Sequence, residues 1–230
     1  MEDKEMRERV EGNRNSFKGN LLGLGLIPAF QNPKTIGSNI LKGVNFASSA
    51  AGVLQERGTF LGDRWTFNLQ IEQFATNTLP ELRSQVLRSK EGNKELSVDE
   101  FLAKSLSYSN IGSNDFINYI VRNYKDPEAY IDWVISAHTR QLKVFIDQFQ
   151  SPQTEKLYQL GGRKFLVFGL APMGCLPTAI LLFNKNAPEE CSEQLNQVVQ
   201  CWNTRLEELL KKLKHKHASE GNMVQLFLPC

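Results

Sequence analysis

A chain of 230 residues suits one large α/β domain, and 41% hydrophobic with 23% charged residues is the balance of an ordinary globular protein. A formal net charge of +2 with dispersed basic residues leaves no footprint for nucleic acid, so no nucleic-acid partner is expected. No run approaches the roughly 18–20 apolar residues of a membrane span, and the charged opening Met1 to Glu11 lacks the apolar stretch of a secretory signal.

Residues 1–20 are polar without a sustained period and read as a disordered lead-in; residues 21–230 read as one partial domain. Leu21 to Ile27 is rich in Leu and Gly, and Pro28 and Pro33 punctuate the loop after it. Gly43 to Gly52 begins like a short buried strand and turns into small residues, which let backbone or ligand come close. Asn68 to Arg88 has helical spacing, with Pro80 as a kink or split. Ser97 and Glu100 stand at capping-box spacing before a short helix to about Ser105. Leu106 to Ile111 is a strand candidate, and the Gly112-Ser-Asn-Asp115 that follows is, taken alone, a common turn phrase.

Pro127 to Phe149 predicts a long amphipathic helix, Leu157 to Gly161 the end of another, Lys164 to Leu170 the clearest strand, Ser192 to Leu213 a last long helix, and Met223 to Leu228 a final strand. Strands alternating with helices predict an α/β fold with a parallel sheet covered on both faces. Phe165, Phe168 and Trp202 belong to the core by pattern, and Asp126, Asp132 and Asp147 read as surface charges. The cysteines Cys175, Cys191, Cys201 and Cys230 lack CxxC spacing and a suitably spaced histidine, so no zinc site is expected; free thiols and a disulfide both remain open.

Three phrases resemble, in order and spacing, the conserved blocks of plant-type GDSL esterase/lipases of the SGNH hydrolase superfamily. They are Gly43-Val-Asn-Phe-Ala-Ser-Ser-Ala-Ala-Gly-Val-Leu54, Ile111-Gly-Ser-Asn-Asp-Phe116, and the strand and loop from Gly162 to Pro177. The resemblance covers roughly residues 21 to 214 and describes a chain truncated at both ends. It implies a three-layer, mainly parallel SGNH/flavodoxin-like sheet flanked by helices, here incomplete. It implies hydrolysis of small-molecule carboxylic or lipid esters by a serine nucleophile in a Gly-Asp-Ser-Leu block, with an Asp-x-x-His pair as base and orienting acid. No metal or organic cofactor is implied, and secretion is usual. Asn114 matches the family's oxyanion side chain and Gly52 best matches its glycine amide donor, while Ser49 and Ala50 stand where many members have glycine. The resemblance also suggests that Cys175 and Cys191 pair.

The departures bear on activity. The only Gly-Asp followed to a third residue is Gly62-Asp63-Arg64, which lacks the serine. Three residues before His138, His215 and His217 stand Ile135, Lys212 and Lys214, so no Asp-x-x-His is present. His138 reads as a surface or half-buried helix residue, and the other two as solvated helix-end residues. Val144 to Lys156 resembles an insertion, and Ser107, Ser109 and Asn110 put polar groups into a strand that is usually apolar. The alternative to an ester hydrolase is therefore an inactive remnant or pseudoenzyme that binds an acyl ligand or a partner. A flavodoxin-like binding domain would need a phosphate-cradling loop, for which Gly23-Leu-Gly25 is too short.

Overall fold

The computed structural model of the chain describes residues 26–54, 64–88, 97–122, 125–146, 164–183, 190–216 and 223–227. They fall into two compact units, one within Met1–Ala51 and Thr59–Phe101, the other within Gly52–Gly58 and Leu102–Cys230. The expected lead-in over 1–20, the helix end at Leu157 to Gly161 and most of the insertion lie outside the described residues, as do Gly62, Asp63, Asp147 and His217.

In the first unit, helix α1 (Phe67–Gln73) and helix α2 (Leu79–Arg88) are joined by a π turn over Phe74–Thr78. Thr66 starts α1, its hydroxyl accepting from the Leu69 N–H at 3.3 Å. The helix expected over Asn68 to Arg88 is thus present, and the widened turn falls just before Pro80. A proline inside a regular helix clashes with the carbonyl four residues back; the wide turn leaves Pro80 in the first turn of α2, where no N–H is required of it. Phe67, Ile71, Leu79, Leu82 and Val86 bury the inner face. Phe30 stacks on Phe46 at 5.0 Å and meets Trp65 at 5.2 Å, and Phe46 meets Phe74 edge-on at 6.1 Å.

The strand expected to open Gly43 to Gly52 is reduced to a single parallel bridge between Ala29 and Asn45. The Asn45 side chain accepts the Ala47 N–H at 2.9 Å, a local turn that takes the backbone away from further pairing. The capping box forms as its spacing predicts. The Ser97 N–H donates to Glu100 at 2.9 Å and the Glu100 N–H to the Ser97 hydroxyl at 3.1 Å, opening α3 (Val98–Lys104).

The second unit carries a parallel sheet ordered β1 (Leu106–Ser109), β2 (Lys164–Phe168) and β3 (Met223–Phe227). Leu106 pairs with Lys164, and Lys164 with Met223. Both strand-to-strand steps are parallel, as the alternation of strands and helices predicts. Helix α4 (Ser113–Arg122) follows β1 directly, where the sequence suggested only a turn. Phe116, Tyr119 and Ile120 recur at helical spacing and are buried, which makes the segment an amphipathic helix. Helix α5 (Pro127–Ile146) begins at Asp126, whose carboxylate accepts the Ala129 N–H at 2.9 Å. A short α6 (Pro177–Phe183) and the long α7 (Glu193–Lys216) complete the unit. α7 packs on α5 and on β3, burying Leu195, Val199, Trp202, Leu206, Leu210 and Leu213.

His138 departs from expectation: it is fully buried in α5, its ring 6.4 Å from that of Trp202. It stands in register with Ile131, Val134 and Leu142, all buried, so it occupies the apolar stripe of the helix. Ser109 is also buried, and its hydroxyl has no hydrogen-bond partner among the described residues. No described helix is long and apolar enough to cross a membrane.

Candidate functional site

Gly52, Asn114 and the residues that hold them all belong to the second unit. Asn114 lies in the first turn of α4, not in a free turn. The helix opens at Gly112, whose carbonyl accepts the Phe116 N–H at 3.0 Å. Gly112 has φ of +122°, and a Cβ there would stand 2.9 Å from the Trp202 ring and 3.4 Å from Leu170 Cδ2. Backbone conformation and close packing thus both require glycine just ahead of Asn114.

The next residue, Asp115, is fully buried and ties the two family blocks together. Its Oδ2 accepts the Val53 N–H at 2.7 Å and its Oδ1 the Leu54 N–H at 2.9 Å. Hydrogen bonds to a carboxylate are shorter and stronger than neutral ones, and two backbone donors satisfy the charge where water is excluded. A Cβ on Gly52 would meet Asp115 Oδ2 at 2.7 Å and Oδ1 at 2.8 Å, so the carboxylate occupies the space a side chain would fill. Two further bonds complete the clamp. The Tyr130 hydroxyl donates to the Asp115 carbonyl at 2.7 Å, and Gln141 Nε2 donates to the Val53 carbonyl at 2.7 Å. Gly52 and Asn114, 62 positions apart in sequence, are thereby held around one buried carboxylate.

Asp115, Tyr130 and Gln141 were not singled out from sequence as parts of a site. The signal that could have found Asp115 is its place in the Gly-x-Asn-Asp phrase. Tyr130 and Gln141 act over distances that no local pattern reports.

The loop after β2 is anchored by α7. Asn203 Oδ1 accepts the Leu170 N–H at 2.8 Å and its Nδ2 donates to the Leu170 carbonyl at 2.9 Å. Asn196 Oδ1 accepts the Gly174 N–H at 2.8 Å. A disulfide joins Cys175 to Cys191 and settles the question the sequence left open. A groove of about 370 Å³ runs beside this loop, lined among others by Leu170, Pro172, Asn196 and Asn203. Loops at the carboxyl ends of parallel strands are the usual place for ligands in α/β folds. A larger groove of about 560 Å³ between α5 and α7 holds none of the motif residues, and its Arg205 is paired with Asp132.

The titratable groups separate structure from chemistry. Burial holds the His138 imidazole down at about 4, so it is neutral near pH 7. Burial, and then the nearby Asp126 carboxylate, push the Tyr119 hydroxyl upward. Among the described residues no three His, Cys, Asp or Glu side chains are grouped to hold a metal ion.

Comparison with known proteins agrees with the blocks. The family model described as GDSL-like lipase/acylhydrolase matches residues 10–227. The chain is 39% identical over 210 residues to GDSL esterase/lipase At5g08460 of Arabidopsis thaliana, an overlap covering 90% of this chain and 51% of that protein. It is 37% identical over 192 residues to GDSL esterase/lipase 7 of the same plant, covering 84% of this chain and 50% of the relative. GDSL esterase/lipase At1g71691, also from Arabidopsis thaliana, is 36% identical over 194 residues, covering 84% and 46%. No solved structure matches. The chain spans about half the length of these curated relatives. With its three blocks in order and the family model spanning nearly all of its length, the chain belongs to the GDSL-like lipase/acylhydrolase family.

Proposed function

We propose that this chain carries the oxyanion half of a carboxylic-ester hydrolase acting on small-molecule or lipid esters. In this reading the Asn114 side-chain N–H and the Gly52 backbone N–H are the donors, and the serine nucleophile and its Asp-x-x-His partners come from sequence outside these 230 residues. The observation that carries the reading is the Asp115 clamp, which holds the Gly52 segment against the first turn of the helix bearing Asn114. Attack of a serine oxygen on an ester carbonyl places negative charge on the former carbonyl oxygen. Donors fixed beforehand favour that charge without reorganising, and losing one typically costs about 100- to 1000-fold in rate. The buried Asp115 carboxylate supports this reading because its bonds to the Val53 and Leu54 N–H groups leave the Gly52 segment little freedom to drift.

The full three-layer sheet belongs to the same proposal, supported by the three parallel strands. So does an oxidising, secretory location, supported by the Cys175–Cys191 disulfide. The 230-residue chain alone then binds acyl ligands without turning them over. No Gly-Asp-Ser occurs in it, and His138 is enclosed between α5 and α7.

The test compares p-nitrophenyl butyrate hydrolysis by this chain and by a form extended with its flanking coding sequence. The expected result is background for the first and turnover for the second, with turnover falling at least about 100-fold on Asn114→Ala. Turnover by the extended form that is indifferent to Asn114→Ala refutes the donor assignment. Turnover by the 230-residue chain refutes the division of labour.

A further inference from the structure

The groove beside the β2 loop carries a row of carboxamides. Asn196, Gln200 and Asn203 follow one another on α7 at spacings of four and three, so they share one face of the helix over about 10 Å. Two of the three are fixed by main-chain atoms. Asn203 accepts the Leu170 N–H and donates to the Leu170 carbonyl, and Asn196 Oδ1 accepts the Gly174 N–H. These bonds set which end of each amide is oxygen and which is nitrogen. A carboxamide has two N–H donors and an oxygen with two lone pairs, so Asn203 keeps one of each beyond its bonds to Leu170. Asn196 Nδ2 meets the weak acceptor Cys175 Sγ at a long 3.9 Å. Gln200, between the two, is exposed. The floor is apolar, made by Val199 and Leu170.

The chemistry of this wall selects its ligand. Among the described residues that line the groove there is no Lys, Arg or His, and Glu193 and Glu207 bring carboxylates, the latter paired with Lys211 at 2.7 Å. An anion therefore meets repulsion without a counter-charge. A hydrocarbon chain would strip water from the amides and return no hydrogen bond. A neutral ligand rich in hydroxyls replaces that water, since each hydroxyl donates and accepts, and two vicinal hydroxyls can meet the donor and acceptor of one amide together. The groove also adjoins the motif: Leu170 Cδ2 lies 3.4 Å from where a Cβ on Gly112 would stand, two residues before Asn114. We propose that this groove binds the alcohol part of the ester and that this alcohol is a polyol the size of a monosaccharide. The proposal rests on the oxyanion reading of Asn114 and adds to it the class of the alcohol. A volume of about 370 Å³ is at the small end of the roughly 300–1,000 Å³ of ligand sites, as a single sugar ring requires.

The test titrates the isotope-labelled 230-residue chain with methyl β-D-glucopyranoside and with cyclohexylmethanol, which has a six-membered ring without the ring hydroxyls. The glucoside is expected to bind with millimolar affinity and to shift the amides of Asn196, Gln200 and Thr204 and the side-chain amide of Asn203, while cyclohexylmethanol leaves them in place. Gln200→Ala weakens the glucoside on the order of fivefold, the effect of one lost hydrogen bond. Gln200 is exposed and alanine favours helix, so the variant keeps its fold, which the unshifted amides of the buried Val134 and Leu206 verify. In the form extended with its flanking coding sequence, the same substitution lowers the kcat/KM preference for methyl 6-O-acetyl-β-D-glucopyranoside over cyclohexylmethyl acetate by a similar factor.

A glucoside that leaves these amides unmoved overturns the proposal, as does cyclohexylmethanol that shifts them equally or a glucoside affinity indifferent to Gln200→Ala. If the glucoside binds as expected while Asn114→Ala leaves turnover by the extended form unchanged, the polyol groove stands and the donor assignment falls. If turnover depends on Asn114 while the preference between the two esters ignores Gln200→Ala, the donor stands and the alcohol assignment falls.

Discussion

Asp115→Asn is the most direct probe of the clamp. The substitution keeps volume and shape but replaces one acceptor oxygen with an N–H donor. The carboxylate accepts two backbone N–H groups, from Val53 at 2.7 Å and Leu54 at 2.9 Å, at a site with no solvent exposure. Asparagine satisfies one of these and turns its amide nitrogen toward the other, so two donors face each other. One charge-assisted bond is lost, the other is weakened to a neutral one, and a buried N–H is left unmet. Charge-assisted bonds contribute about 1.5–3 kcal/mol and an unmet buried donor costs about 1–3 kcal/mol, and these partly overlap, so the expected loss is about 2–4 kcal/mol. For a chain of this size that corresponds to roughly 5–15 °C in melting temperature. Circular-dichroism melts of parent and variant measure the total, and amide hydrogen exchange locates it. Val53 and Leu54 lose protection while the amides of α7 keep theirs. A variant within about 0.5 kcal/mol of the parent, with Val53 and Leu54 still protected, would refute the clamp.

Three further outcomes are expected. His138 is held at about 4 when folded and returns to about 6.5 when unfolded, so the unfolded chain binds the extra proton between those values. The His138 contribution is then constant above about pH 7 and falls by roughly 3 kcal/mol as pH drops through 6.5 toward 4, and His138→Leu flattens that part of a denaturant-versus-pH series. Ala50 has φ of +59°, where a Cβ is disfavoured, so Ala50→Gly raises the urea midpoint by an amount equivalent to about 0.5–1 kcal/mol once the freer unfolded chain is counted. Reducing the Cys175–Cys191 disulfide, which spans 16 positions, lowers stability by about 3 kcal/mol, read as a drop in melting temperature that the Cys175→Ser, Cys191→Ser variant reproduces without reductant.

Much of this arrangement was legible because it depends on local grammar. The Ser97 and Glu100 pair announces a helix start, and the Lys164 to Leu170 run announces β2. The family resemblance implies glycine near Ala50, and a φ of +59° there is the left-handed backbone that favours glycine. Pro80 was recognised as a disruption, but the chain solves it with a π turn, a choice set by packing on both sides. His138 is polar and so reads as a surface residue, yet its spacing from Ile131, Val134 and Leu142 puts it on the buried stripe. Helix α4 was hidden by its own opening phrase, since Gly-Ser-Asn-Asp favours turns until the buried face that follows decides otherwise. The roles of Asp115, Tyr130 and Gln141 depend on partners up to 88 positions away, and no window along the chain contains both ends of such a bond.

The way Asn203 grips Leu170 has a consequence for how this loop can vary. A side-chain amide offers one acceptor and one donor side by side, so it pairs with the N–H and C=O of one residue much as a neighbouring strand would. Because it reads main-chain atoms, it is indifferent to the side chain carried at the position it holds. Asn196 likewise holds a main-chain atom, accepting the Gly174 N–H. The exposed Ala171 and Pro172 between these two anchors are therefore free to change, and the wall of the groove can be redecorated without being moved. Gly174 is the exception, because a Cβ there would lie 2.2 Å from the Ser192 carbonyl oxygen. Diversification of this loop is expected to concentrate at two positions and to stop at a third, a pattern set by where the backbone is held and not by what the ligand is.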